Sequence, residues 1–389
     1  MLTRSGWLVL LGGIATLVTG RLFGVPELFV VGATATALPV LALAWVRRLP
    51  PQLQAERRVH PRRIHLGGPS RVELGVTNVG TRRSPVVGLV DPVEGTIGAR
   101  VALSPLAAGS RQEAGYRLPT ERRGILHIGP LRAEVADPFG LARRRLEVAG
   151  TASLTVLPAV DILTAMPVAG GRDEPLAGVA RRAAAGSNTD DFATLRPYVV
   201  GDDLRRVHWP STAKAGDLLV RQDDARWQGH VSVVLDNRAD RIAAAPFELA
   251  VSAAASILHA VGRNGDRVRL LLADGTDSGL VDARGAGDTL LEHLALTDRQ
   301  DTGSFPLLPT DGRQHSGTLV VLTGRPTPED LAAVSAGRTA FGSVVLVLAA
   351  DRANDLAMPP GVEVVRLDAD HPFATGWAAA AARSNRRRR

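Results

Sequence analysis

Two stretches near the start of the chain carry almost no strongly polar side chain: Ser5 to Gly20 and Leu28 to Val46. A bilayer core takes about 20 residues of helix, so the second can span unaided, while the first must include Leu22 to Val25 and let Arg21 snorkel. A tight G-V-P-E turn separates them. The pattern predicts a transmembrane hairpin within residues 1–50, with helices over about 5–25 and 28–46. From 52 to 165 the period changes to two, as in R-V-E-L-G-V-T-N-V-G and I-L-H-I-G-P-L-R-A-E-V-A, with turn residues about every ten positions. This is the signature of an antiparallel β-sandwich-like domain. Asn78 and Gly80 suit a hairpin turn, and Asp137 to Leu141 (D-P-F-G-L) suits a second strand-to-strand corner. Residues 166–194, rich in Gly, Ala, Arg, Asp and Ser, read as a linker or mobile loop, and 195–228 form a dense polar segment. From 229 to 372 continuous apolar runs such as H-V-S-V-V-L-D alternate with helical stripes, first around Phe247, Val251, Leu258 and Val261. That alternation predicts a doubly wound α/β sheet. An Ala/Arg-rich tail follows over 373–389.

An alternative for the first apolar stretch is a signal peptide with Arg4 as its basic region. The second stretch, closed at once by Arg47 and Arg48, favours the hairpin. Arginines at both hairpin ends, with Arg57, Arg58, Arg62 and Arg63 beyond, put both termini in the cytoplasm and the protein in the plasma membrane by the positive-inside rule. Trp7 and Trp45 stand near that face, as interfacial anchors do.

Composition narrows the chemistry. With 389 residues, 45% hydrophobic and 22% charged, the chain accommodates two or three folded domains. The absence of cysteine removes disulfides, thiolate nucleophiles and cysteine-ligated zinc. The single lysine, Lys214, lies outside any phosphate-binding loop motif. The net charge of +7 falls to +2 without the five arginines of the last seven residues. Nucleic acid is therefore not indicated, and two tyrosines are too few for a base-stacking platform. The tail suits a solvated end or attraction to anionic headgroups.

The densest mixture of charge and aromatics runs from Leu195 to Gln222. Gly201 permits a turn, Asp202 can cap a short helix that includes Asp203, and Pro210 would end it after Trp209. Arg205 and Arg206 follow on one face, with Arg196, Tyr198 and Arg221 flanking. One reading is an ion-pair network over the Trp209 indole. Another is a recognition surface in which the arginines bind carboxylates or phosphates. A third is a hydrolase with His208 as general base oriented by Asp202 or Asp203, although no nucleophile or metal set accompanies it.

This segment resembles the signature of the family catalogued as domain of unknown function 58, and R-R-G-I-L-H-I-G-P-L with D-P-F-G-L is similar to that family's upstream strand pair. The resemblance implies a membrane-anchored protein with a β-rich segment and a von Willebrand factor A-like domain. It also implies a chaperone or assembly partnership with a MoxR-type AAA+ ATPase and a transglutaminase-like membrane protein; the leading expectation is a non-enzymatic interaction or assembly factor, chaperone-like or cell-envelope in character. In that fold a D-x-S-x-S motif at the first strand end holds a divalent cation. Here the positions are Asp236, Asn237, Arg238, Ala239 and Asp240, so both serines are missing and Arg238 would repel Mg or Ca. Asp240, Thr323 and Asp274 are the oxygen donors that could compensate. The expectation is a degenerate metal site and no cofactor.

Overall fold

The computed structural model describes residues 1–48, 52–164, 194–198, 207, 209–222, 230–301, 303–306, 317–350, 357–368 and 372–386. The chain divides into two compact units; of the linker expected over 166–194, residues 166–193 lie outside the described residues and Thr194 opens a strand.

The first unit opens with helices α1 (Arg4–Phe23) and α2 (Pro26–Arg48). Each is about 30 Å long or slightly more at 1.5 Å per residue, enough to cross a bilayer core. Thr3 caps α1 by accepting the Gly6 N–H at 3.0 Å. Gly24 closes α1 in the left-handed region at φ 67°, which lets the chain reverse at once. The helices meet through small residues. A Cβ at Gly32 would lie 2.3 Å from the Leu17 backbone nitrogen, and one at Gly13 2.7 Å from that of Thr36. The two backbones thus touch directly, as in small-residue membrane packing. Away from that seam Trp7, Leu8, Leu11, Ile14, Val18 and Leu22 are exposed. A third helix of comparable length and apolarity, Ala244–Asn264 in the second unit, buries its apolar residues instead. Among the described residues, the helices apolar enough to cross a membrane that keep their apolar faces exposed are therefore the N-terminal pair.

Ten strands follow: β1 (Leu53–His60), β2 (Arg63–His65), β3 (Arg71–Asn78), β4 (Val87–Asp91), β5 (Ala99–Leu103), β6 (Arg111–Arg117), β7 (Gly124–Ile128), β8 (Leu131–Ala136), β9 (Arg143–Ala149) and β10 (Ala152–Leu157). They form three small sheets, ordered β1-β3-β6, β2-β10-β7 and β5-β4-β8-β9, all antiparallel except the β2–β10 pair. Alternation selects the core: Val87 and Leu89, Leu131, Ala133 and Val135, and Val72, Leu74 and Val76 point inward around one cluster. Asn78 does not close a hairpin. Its side chain donates to the Arg82 and Leu106 carbonyls and accepts the Gly80 N–H, an Asx turn that carries the chain from one sheet to another. In this core Tyr116 donates to Asp91 at 2.6 Å, and the Arg57 guanidinium stands 3.5 Å from the same carboxylate while donating to the carbonyl of Ile128 at 2.7 Å. Burial pushes the Asp91 carboxyl above its ordinary range, against the opposing hydrogen bond from Tyr116 and the charge of Arg57.

The β8–β9 corner is bound to the hairpin. Thr3 N–H donates to the Leu141 carbonyl at 2.8 Å, its hydroxyl to the Gly140 carbonyl at 2.7 Å, and Arg143 N–H to the Met1 carbonyl at 2.9 Å. Arg144 reaches the Arg47 carbonyl near the end of α2 at 3.3 Å, where a cation suits the exposed carbonyls. Leu141 and Ala142 pack with Ala42 and Val46 in a small apolar cluster.

From Val160 on, the chain forms β11 (Thr194–Pro197), α3 (Trp209–Ala215), β12 (Leu219–Gln222), β13 (His230–Leu235), α4 (Ala244–Asn264), β14 (Arg267–Leu272), β15 (Val281–Asp282), α5 (Ala283–Leu296), β16 (Thr318–Thr323), α6 (Pro328–Ala336), β17 (Ser343–Ala349), β18 (Glu363–Leu367) and α7 (Phe373–Arg386), all in the second unit except the last five residues of α5. Its six-stranded sheet is ordered β15-β14-β13-β16-β17-β18, parallel throughout except for edge strand β15. Strands β13, β16 and β17 are buried almost end to end, which is why they read as unbroken apolar runs. Strand order reverses between β13 and β16, and a crevice for ligands in such sheets lies beyond the carboxyl ends there.

Candidate functional site

Asp236 directly follows β13 and Thr323 ends β16, the two strands flanking that reversal, and the side chains meet. The Thr323 hydroxyl donates to Asp236 Oδ2 at 2.7 Å, and Asp236 N–H donates to the Leu322 carbonyl at 2.9 Å. Two residues after Asp236 the chain doubles back and places the Arg238 guanidinium on the same carboxylate: Nε to Oδ1 at 2.8 Å and Nη2 to Oδ2 at 2.9 Å. This is a bidentate pair. Nη2 also donates to Asp330 Oδ2 at 2.9 Å. The Phe305 ring lies 5.7 Å from the guanidinium carbon. Asp236 is fully buried, and Arg238 and Asp330 are 8% and 5% exposed.

Asp330 arrives from α6 by local chemistry. Thr327 accepts the Asp330 N–H at 3.1 Å, and Asp330 accepts the Thr327 N–H at 2.9 Å, a capping box with Pro328 at the first helical position. One carboxylate thus caps a helix and neutralises an arginine. Burial alone would raise its pKa, but the hydrogen bond from Arg238, aided by the Thr327 N–H, outweighs it and holds the carboxyl below the ordinary range. The Arg238 guanidinium is pushed further toward its charged form, first by its bond to Asp236.

Asn237, fully buried between them, donates to Asp274 at 3.2 Å and to the Asp298 carbonyl at 3.2 Å. Of the oxygen donors weighed from sequence, Asp236 and Thr323 come together, Asp274 joins through Asn237, and Asp240 does not join. The Asp240 carboxylate is largely exposed and pairs with Arg241 at 3.0 Å. Among the described residues no group of three His, Cys, Asp or Glu side chains could hold a metal ion. Both oxygens of Asp236 face the guanidinium at hydrogen-bond distance, so this donor set does not fit Mg or Ca. A cation there would meet the positive charge that already neutralises the carboxylate. The cluster locks the ends of β13 and β16 to the start of α6.

Of the signature residues, Arg196 and Arg221 fall on antiparallel neighbours β11 and β12, in which Arg196 faces Val220 and Leu195 faces Arg221. Tyr198 N–H donates to the Leu218 carbonyl at 2.8 Å. Trp209 is 64% exposed and opens α3. Pro210 therefore sits in the first turn of a helix and does not terminate one; its missing N–H costs nothing there. Gly201, Asp202, Asp203, Arg205, Arg206 and His208 lie outside the described residues. The sequence pointed to Arg238 but not to Asp330; its signal was the T-P-E-D capping box, legible as a helix start and silent about an arginine.

Residues 194–303 match the family model described as "Protein of unknown function DUF58", the family that the signature segment resembles. No curated protein matches the chain. Solved structures similar to parts of it include the CARDB domain of PF1109 from Pyrococcus furiosus in complex with di-metal ions (18% identity, 27% of this chain and 91% of that one, TM-score 0.22). Others are the alkylpurine DNA glycosylase AlkC of Pseudomonas fluorescens (12% identity, 33% and 38%, TM-score 0.19) and the β-glucosidase EmGH1 of Erythrobacter marinus (16% identity, 28% and 16%, TM-score 0.19). Likenesses at these scores carry no argument about fold or activity.

Proposed function

Taking the family match as premise, we propose that the chain is a membrane-anchored interaction or assembly factor. Its soluble domains stand in the cytoplasm, and its α/β domain, of the von Willebrand factor A-like type, engages a MoxR-type AAA+ ATPase. The observation that carries this reading is the strand-end mouth. The carboxylate that would open a metal site or serve a reaction is instead held by Arg238, which suits a rigid docking platform. The sheet order with its antiparallel edge is in keeping with the A-like reading, and the exposed apolar faces of α1 and α2 are in keeping with anchoring. Arginines at both ends of the hairpin favour the cytoplasmic side.

The contact surface on this reading is the segment from Arg196 to Trp209 together with the mouth at Asp236. Crosslinked affinity capture from native membranes tests it by comparing the intact chain with an Arg205→Glu, Arg206→Glu variant of equal thermal stability. Recovery of an AAA+ ATPase by the intact chain and not by the variant is expected. Equal recovery by both would remove the segment from the interface, and recovery by neither would sink the partnership.

A further inference from the structure

The corner between β8 and β9 is more than a strand connection. Its backbone is hydrogen-bonded to the residues that cap α1, through Thr3 N–H to Leu141 and the Thr3 hydroxyl to Gly140. Close approach is built in at Gly6, where a Cβ would fall 2.1 Å from the Leu141 carbonyl oxygen. The corner is also internally fixed. The Asp137 carboxylate accepts the Phe139 N–H at 2.9 Å and the Ala142 N–H, and Gly140, at φ 69°, donates to the Asp137 carbonyl at 3.0 Å. At the tip of this rigid loop Phe139 is 72% exposed and Pro138 is exposed beside it.

Single exposed apolar residues are ordinary on a protein surface. This one is not placed at random. α1 needs nearly its whole length to cross a bilayer, so its cap must lie at the boundary between headgroups and acyl chains. Whatever is hydrogen-bonded to Thr3 shares that depth. Exposed arginines gather at the same ends: Arg4 on α1, Arg47 and Arg48 on α2, and Arg143 directly after the corner. One turn into α1, Trp7 is 53% exposed, where interfacial aromatics concentrate.

We propose that the Asp137–Leu141 corner is a second membrane contact, in which Phe139 inserts into the interface of the leaflet entered by both helix ends and the surrounding arginines face anionic headgroups. The occupant of this apolar tip is lipid, argued from backbone continuity with the hairpin and from charge complementarity. The inference rests on reading α1 and α2 as the anchor. The β-rich unit is then not tethered by one flexible connection. Three points hold it to the bilayer: α1, α2 and the corner.

The chain has no cysteine, so each single-cysteine variant offers one thiol. Nitroxide labels at Phe139→Cys, Pro138→Cys, Leu11→Cys and Ile97→Cys, in full-length protein reconstituted into phosphatidylcholine–phosphatidylglycerol bilayers, report depth through collision with oxygen and with a water-soluble nickel chelate. Pro138→Cys keeps Phe139 in place. Ile97 is fully exposed in the β4–β5 turn, at the opposite end of the same sheet, and serves as the aqueous reference. The expected result is raised oxygen and lowered nickel accessibility at 138 and 139 relative to 97, intermediate between 97 and 11. Accessibilities at 138 and 139 equal to those at 97, with 11 buried in hydrocarbon, overturn the contact alone. Water-like behaviour at 11 overturns the anchor as well.

Discussion

Replacing Arg238 by alanine strips one guanidinium from two buried carboxylates. The variant loses three hydrogen bonds of 2.8–2.9 Å and leaves Asp236 with the Thr323 hydroxyl and a backbone N–H, and Asp330 with the Thr327 N–H. Removing one partner of a buried ion pair typically costs about 3–5 kcal/mol, because the orphaned charge stays desolvated. For a unit of this size about 1 kcal/mol corresponds to roughly 2–4 °C, so Arg238→Ala should lower the melting temperature by about 6–20 °C. The loss should be local first, with faster amide exchange in β13 and β16. Acid supplies an internal control. In the native protein Asp330 is held below the ordinary carboxylate value, so its contribution is present above that value and is lost as pH falls through the lower folded one. In the variant burial acts without the guanidinium and raises the carboxyl, so the variant gains stability on acidification while the native protein loses it. The gap must narrow toward low pH. Thermal unfolding of the full chain in detergent, from neutral pH to about pH 3, below the ordinary carboxylate value, measures both effects. A loss under about 1 kcal/mol, or a gap that widens in acid, would refute the view that Arg238 neutralises this pair. An Arg238→Met, Asp236→Asn, Asp330→Asn combination should recover much of the loss, since well-packed neutral groups often replace buried ion pairs without penalty.

Three further outcomes follow from packing and hydrogen bonding. Tyr116→Phe removes a 2.6 Å bond to the buried Asp91 and should cost about 1.5–3 kcal/mol near neutral pH. Asp91 is already raised from 3.8, so its carboxyl weighs against folding as pH rises; losing the Tyr116 bond raises it further, and the cost should shrink in acid, as denaturant titrations at two pH values would show. Gly32→Val adds atoms where the Leu17 backbone stands 2.3 Å away, so the helices must part. Dipolar broadening between spin labels at Ala15 and Thr34 should weaken, and unchanged broadening would mean that the pair is not packed backbone to backbone. Thr327→Ala removes one half of the capping box and should cost about 1 kcal/mol, visible as faster exchange at the first turn of α6.

What the sequence revealed and what it hid divide by distance along the chain. The apolar helical pair, the β-rich middle and the α/β region were legible because each is written in a local pattern, long apolar runs, alternation by two, or unbroken apolar strands between helical stripes. Arg238 was legible as an obstacle to a cation because it sits two positions from Asp236. Its second partner, Asp330, lies 92 residues away, and no local pattern marks a capping residue as an ion-pair partner. The same limit explains Asn78. Its Asx chemistry is identical in a hairpin and in a crossing between sheets, and the choice is made by β6 pairing with β3. Pro210 was ambiguous for another reason: proline suits both the end of one helix and the first turn of the next. The D-P-F-G-L corner could be read, but its bond to Thr3 spans 137 residues and could not.

The manner in which Asp236 is neutralised bears on how a partner could bind. A divalent cation at a strand end keeps an open coordination position, which a partner's carboxylate can fill. A guanidinium committed to two internal carboxylates offers its donors inward. Capture of a partner through the Arg196–Trp209 segment should therefore be insensitive to chelation but sensitive to ionic strength, since exposed arginine–carboxylate pairs are screened over roughly 8–10 Å at physiological salt. Affinity capture repeated with EDTA, with excess Mg, and at raised salt separates the cases. Recovery unchanged by chelator and reduced by salt fits the arginine-held mouth. Recovery abolished by EDTA and restored by Mg would show that a cation bridges the interface, and would overturn the assignment of Arg238 as the permanent occupant of that position.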